Sequence, residues 1–406
     1  MSEVRDQAPV RAGGASRSPW TVVAQGAAML AVGMGIGRFV YTPILPLMEH
    51  QAGLSASMAS NLATANYLGY LIGALAGIFV PAVARSRLIA RLALLVVIVT
   101  LALMPVTRDA AAWLALRLIT GVASAMLFVI ATSAMLARLH GRAQHLVGWG
   151  FGGVGLGIAA SGALVLGLQS VSTWRAAWWG AAALAAALSV AAWTLHPGQA
   201  ATSAPPHPAG AAPRTHRWFA ALLACYTLEG IGYIIAGTFL VAAISQNSPG
   251  WLGGGAWVVV GVTATPASAM WAYLARRRSR STLILVALIV QAVGIALPAL
   301  AVGVAPALIS AVLFGNTFVA IVSLALAIGA HLQFPRSVAL LTTGYGVGQI
   351  LGPLVVKPLL SGGYRDALLV AAAIVAAAAV AAIAVRVRFP YRVGAMIEPS
   401  VSALDP

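Results

Sequence analysis

A-V-G-M-G-I-G-R-F-V-Y-T-P-I-L-P-L-M, residues Ala31 to Met48, closes an apolar segment that begins at Trp20. From Trp20 to Leu45 the segment covers 26 residues. At ~1.5 Å per residue, a helix of that length crosses a hydrocarbon core of roughly 30 Å. Arg38 lies inside it. A charge at membrane depth costs at least ~2.5 kcal/mol, so Arg38 is expected to face a protein-lined or water-lined interior. Gly33, Gly35 and Gly37 recur every second residue and so serve more than one helix face, letting neighbouring helices approach closely. Pro43 and Pro46 are expected to break the helix just beyond the charge. A proline-broken helix carrying a buried cation reads as a moving wall of a cavity.

The rest of the chain has the same character. Of 406 residues, 61% are hydrophobic and 8% charged, and the mean hydropathy is +0.93. No soluble core hides that much apolar side chain, so the fold class is an all-α polytopic membrane protein. Cys225 is the single cysteine, which excludes an internal disulfide and a thiolate metal cluster. The seven histidines stand near span ends, in loops or in a linker without paired metal spacing, and no cofactor or metal is expected. A net charge of +16 does not signal nucleic acid, because the arginines fall in short loops between apolar segments. No G-x-x-x-x-G-K loop is present, against an ATP-driven pump, and no cluster of acids or histidines suggests an enzyme.

Twelve apolar spans are expected between residues 20 and 385. Residues 1–19 read as a disordered tail; 20–195 as a six-helix bundle; 196–217, rich in Pro, Ala and Gly, as a flexible linker; 218–388 as a second six-helix bundle; and 389–406 as a second tail. Nothing resembles a cleaved signal peptide, so the first helix is expected to stay as an anchor. Eighteen arginines fall on the side shared by both tails and the linker, against Arg108, Arg175 and Arg365 on the other. Both termini are therefore expected in the cytoplasm. The run Arg276 to Arg280 fixes topology and is a weaker candidate for contact with anionic membrane lipid.

The halves repeat each other. A shift of 195 lays Gly35-Ile36-Gly37 on Gly230-Ile231-Gly232; a shift of 194 lays Gly121 on Gly315, Arg142 on Arg336, and Gly150 and Gly152 on Gly344 and Gly346. Six helices followed by six in the same order make a parallel repeat about an axis along the membrane normal.

At these residues the chain resembles the major facilitator superfamily. Arg117-Leu-Ile-Thr-Gly121 looks like its R-x-x-x-G motif. Gly148 to Gly162 is glycine-rich where its antiporters carry a glycine and proline motif, although the proline is missing. The loop Pro81 to Arg87 keeps basic residues but lacks the usual acidic residue and glycine. More narrowly, G-I-G-R-F-V-Y-T-P-I-L-P-L-M and G-I-G-Y-I-I-A-G-T-F-L in the seventh span look like the YbfB/YjiJ branch. The resemblance implies two six-helix bundles whose first, fourth, seventh and tenth spans line a central cavity, with the second, fifth, eighth and eleventh beside them.

Four charged side chains lie well inside the spans: Arg38, Arg117, Glu229 and Lys357, all on members of those sets. At ~1.5 Å per residue the three cations fall in the half away from the termini, and Glu229 near the midplane. Lys357 is the only lysine among 24 basic residues, and a compact ammonium releases a partner more readily than a guanidinium. Arg38, Arg117 and Lys357 are candidate substrate-binding residues, joined by the polar Asn66, Tyr67, Asn316, Tyr345 and Gln349. Blander readings stay open: Arg117 as a brace onto backbone carbonyls, Arg38 and Lys357 as snorkelling helix-end residues, and the polar side chains as interhelical glue. Glu229 must be paired, protonated or water-facing at its depth, and its repeat equivalent is Met34, so it is the candidate proton-coupling residue. Glu49 and His50 at the far mouth are the next candidates.

The expectation is a proton-coupled secondary transporter of the bacterial inner membrane, monomeric, working by alternating access. Three interior cations against one acid favour a small organic anion bearing a carboxylate. The alternatives are a proton-coupled drug or metabolite exporter and a non-transporting sensor.

Overall fold

The computed structural model describes residues 18–139, 146–168, 173–195, 215–246, 248 and 250–390. The expected N-terminal tail, Arg142, nearly all of the linker and most of the C-terminal tail lie outside them. Every regular element among the described residues is helical.

The first apolar segment folds as helix α1 (Pro19–Leu30), a π-helical stretch (Ala31–Ile36), an open turn and helix α2 (Tyr41–Ala52). The break comes at the glycines and not at the prolines, which corrects the expectation. The Gly37 amide donates to the Val32 carbonyl at 2.8 Å and that of Phe39 to Met34 at 3.2 Å, the wide spacing of a π-bulge. Pro43 falls in the first turn of α2, where a missing N–H leaves no bond unmade, and Pro46 is carried inside the helix. Arg38 thus sits on the turn itself.

The chain continues through α3 (Ala56–Phe79), the short α4 (Pro81–Arg85), α5 (Arg87–Leu103), α6 (Ala110–Arg138), α7 (Val147–Leu168) and α8 (Trp174–Ala192). The second half holds α9 (His216–Gln246), α10 (Gly250–Leu274), α11 (Arg280–Leu300), α12 (Val304–His331), α13 (Ser337–Val356) and α14 (Arg365–Arg386). Ser55, Ser86, Asp109, Thr173 and Ser279 cap their helices by accepting an N–H of the first turn. Among the described residues, eleven helical segments are long and apolar enough to cross a membrane. Helix α5, with 17 residues, is ~25 Å long and takes the third place in the series, so the twelve expected spans are met by eleven long and one short.

Packing repeats with the sequence. In the first half α1 packs on α7 and α8, α3 on α6, and α5 on α6 and α8. In the second, α9 packs on α13 and α14, α10 on α12, and α11 on α12 and α14, the same pairing six spans later. The halves meet along two seams, α3 with α13 and α7 with α10. Glycine makes the second possible: a Cβ on Gly155 would stand 2.4 Å from the Thr265 amide nitrogen, and one on Gly261 2.2 Å from that of Ala159. Leu92, Leu95 and Val99 of α5 are exposed on the outside, an apolar face suited to lipid.

Candidate functional site

Between the halves lies a cavity of about 120 Å³, walled by the π-helical stretch and by α3, α6, α7, α9, α12 and α13. Arg38 is its only charged lining residue. Phe39, Tyr70, Phe128, Phe151, Tyr233, Phe318 and Tyr345 contribute rings, and Thr132, Ser323 and Gln349 the few polar groups.

Arg38 is 2% exposed. Its Nη2 donates to Gln349 Oε1 at 2.6 Å and to the Tyr233 hydroxyl at 3.4 Å. Nε and Nη1 are buried without a partner. The guanidinium carbon stands 4.4 Å from the Tyr70 ring centroid, 4.8 Å from Tyr67 and 5.2 Å from Phe39. The cation is therefore held by ring faces and neutral dipoles, with no carboxylate on the lining to balance it.

Arg38 and Tyr233 are 195 residues apart, and so are Thr42 and Gly237, whose side chain and carbonyl also bond. Positions equivalent by the internal repeat meet one another here, as they do on a two-fold axis.

Arg117 is 1% exposed and turned elsewhere. Nη1 donates to the Gly37 carbonyl at 3.2 Å and Nη2 to that of Arg38 at 3.3 Å, while the guanidinium stacks 4.9 Å from the Tyr41 ring. It braces the broken turn that presents Arg38. Asn66 secures the brace from α3, donating to the Arg117 carbonyl at 2.9 Å. Asn316 is also off the cavity, its Oδ1 accepting from Trp271 Nε1 at 3.0 Å.

Tyr67 and Lys357 belong to a seal between the halves. The Tyr67 hydroxyl meets Thr238 Oγ1 at 2.7 Å, Lys357 Nζ donates to Asn61 Oδ1 at 3.0 Å, and Ser60 Oγ to the Pro353 carbonyl at 2.8 Å. Tyr364 donates to Glu49. Burial, reinforced by this carboxyl, pushes the Tyr364 phenol well above its usual range, so it stays a donor. All these contacts lie on the side away from the termini. The cavity extends the other way, past Thr132 and Leu326. The protein is sealed distally and open toward the side of its termini.

Glu229 is fully buried, and neither carboxyl oxygen has a hydrogen-bond partner. Gln291 and Tyr345 stand beside it short of bonding geometry, and both polar atoms of Gln291 are unpartnered too. Glu229 is not on the cavity lining. Tyr345 is, and it stacks on Tyr226 at 4.2 Å and on Tyr233 at 5.6 Å, so one ring touches both the cavity and the acid.

Of the candidates from sequence, the structure brings Arg38, Tyr345 and Gln349 together on the cavity. The mid-span rings Phe39, Tyr70, Phe128, Phe151, Tyr233 and Phe318 were missed. Tyr233 had a signal: it is where the 195-residue shift carries Arg38.

Residues 30–385 match the family described as "Uncharacterised MFS-type transporter YbfB". No curated protein matches the chain. Among solved structures, the crystal structure of the nucleoside transporter NupG is similar with a TM-score of 0.67, covering 90% of this chain and 99% of that one at 14% identity. At that identity the likeness shows the fold alone.

Proposed function

The chain belongs to the MFS-type transporter family that YbfB describes and is a multi-pass, non-enzymatic secondary transporter of a small molecule; from that premise we propose that it carries a small organic anion, bearing a carboxylate, in exchange for or together with protons. The observation that supports this most is Arg38, a buried cation on the cavity with two unpartnered donors and no acid on the lining. A bare cation in a low-dielectric site favours an anionic occupant, and a guanidinium edge matches a carboxylate in geometry.

In this reading the bundles 20–195 and 218–388 rock about the central site. The seal built on Lys357, Tyr67 and Tyr364 opens when the termini side closes. Glu229 carries the proton: it lies one ring away from the anion, so substrate charge at Arg38 alters the cost of ionising it. Both termini are cytoplasmic, the membrane is the bacterial inner membrane, and the working unit is a monomer. The ring-rich lining also favours the exporter of lipophilic compounds as a second reading, though Glu229 then has no route to contact a cationic substrate in this conformation.

Binding of a panel of organic anions to wild type and Arg38→Gln tests the proposal. Loss of a charge-assisted hydrogen bond should weaken binding by ~1.5–3 kcal/mol, roughly ten- to over a hundredfold, with folding intact. Unchanged affinity for every anion would sink it, and drug resistance on overexpression without anion flux would select the exporter.

A further inference from the structure

We propose that the substrate is a planar aromatic monocarboxylate, its ring lying along a wall of parallel side-chain rings and its carboxylate on the free edge of Arg38. This rests on the anion reading above and narrows it.

The charge count comes first. Arg38 offers one unpartnered edge, Nε and Nη1, which is the arrangement that one carboxylate accepts in parallel. A second carboxylate would lie among rings, with Thr132 and Ser323 as the nearest neutral hydroxyls and no cation. The Ser323 hydroxyl already donates to the Ala320 carbonyl at 2.8 Å. Dicarboxylates are thereby disfavoured.

The rings set the shape. Tyr345 and Tyr233 stack at 5.6 Å and 8°, Tyr233 and Phe318 at 6.0 Å and 5°, and Phe318 and Phe314 at 5.5 Å and 16°. Residues from α9, α12 and α13 thus present faces in one orientation. Across the cavity, Phe128 meets Tyr70 at 60° and Phe151 at 53°, so that wall offers edges. Faces on one side and edges on the other suit a flat aromatic guest, since aromatic pairs favour offset-stacked and edge-to-face contacts. The guanidinium is itself stacked on Tyr70, Tyr67 and Phe39, which aligns its free edge with the ring-lined space.

Size agrees. At about 120 Å³ the cavity is close to the ~150 Å³ apolar cavity that takes benzene, and its open side leaves room for a ring substituent.

Equilibrium binding of radiolabelled benzoate to the purified full-length protein at neutral pH is the test, because binding is not confused by leakage of the undissociated acid through a bilayer. Saturable binding is expected. Cyclohexanecarboxylate, equal in charge but not planar, should compete about fivefold less well, and benzamide and succinate at least tenfold less well. Phe318→Leu, checked for folding by its melting curve, should collapse the preference for benzoate over cyclohexanecarboxylate. If lactate or succinate binds in an Arg38-dependent way and benzoate does not, the aromatic inference falls and the anion reading stands. If no carboxylate binds, both fall. A preference untouched by Phe318→Leu, or benzamide competing as well as benzoate, also overturns the inference.

Discussion

Arg117→Met separates a brace from a binding residue. The substitution keeps length and apolar bulk but removes every donor. In the native protein two buried carbonyls, those of Gly37 and Arg38, receive the guanidinium at 3.2 and 3.3 Å. Both bonds are long, which places each at the low end of the ~1.5–3 kcal/mol typical of bonds to charged groups. Two such bonds amount to ~3 kcal/mol, and apolar packing by methionine recovers part of that. A net loss of ~2–3 kcal/mol follows, roughly two decades in the folding equilibrium at 1.36 kcal/mol per decade. Cys225 provides the assay, being the only cysteine and fully buried. A thiol-reactive fluorophore reports its exposure as α9 opens on heating. The melting midpoint of Arg117→Met should drop by several degrees, whereas Arg38→Gln should melt close to wild type. A wild-type melt of Arg117→Met together with a more than tenfold loss of anion affinity would refute the brace and return Arg117 to the substrate.

Two further outcomes are expected. Glu229→Gln keeps size while fixing the neutral form, and should abolish proton-driven accumulation yet permit substrate exchange across proteoliposomes; accumulation with wild-type pH dependence against an imposed gradient would remove Glu229 from the coupling. In a Cys225→Ser background, Ser203→Cys should resist an impermeant maleimide in intact cells while Asp366→Cys, at the exposed start of α14, should label, and the opposite pattern would invert the orientation.

Glu229 shows how local physics and tertiary placement divide the site. Its rarity, as an acid inside an apolar span, was visible in the chain because a charge at that depth needs a compensating reason. Its distance from the cavity was not visible, because that depends on the ring of Tyr345 arriving from α13, more than a hundred residues away. Lys357 and Arg38 looked alike as interior cations. One ties the distal seal to Asn61 and the other faces the cavity.

The amino-acid sequence by itself determined the membrane environment, the series of spans, the internal repeat and the short list of interior charges. These are one-dimensional properties: hydropathy sums along the chain, and a repeat is a shift of the chain against itself. Only the tertiary structure decided where each charge points. Successive residues of a helix turn by about 100°, and the π-helical stretch before Arg38 adds a register shift that no hydropathy pattern records. The parallel rings of α9, α12 and α13, and the choice of which face is sealed, likewise exist only once distant helices pack, since the same sequence must serve both conformations of an alternating-access cycle.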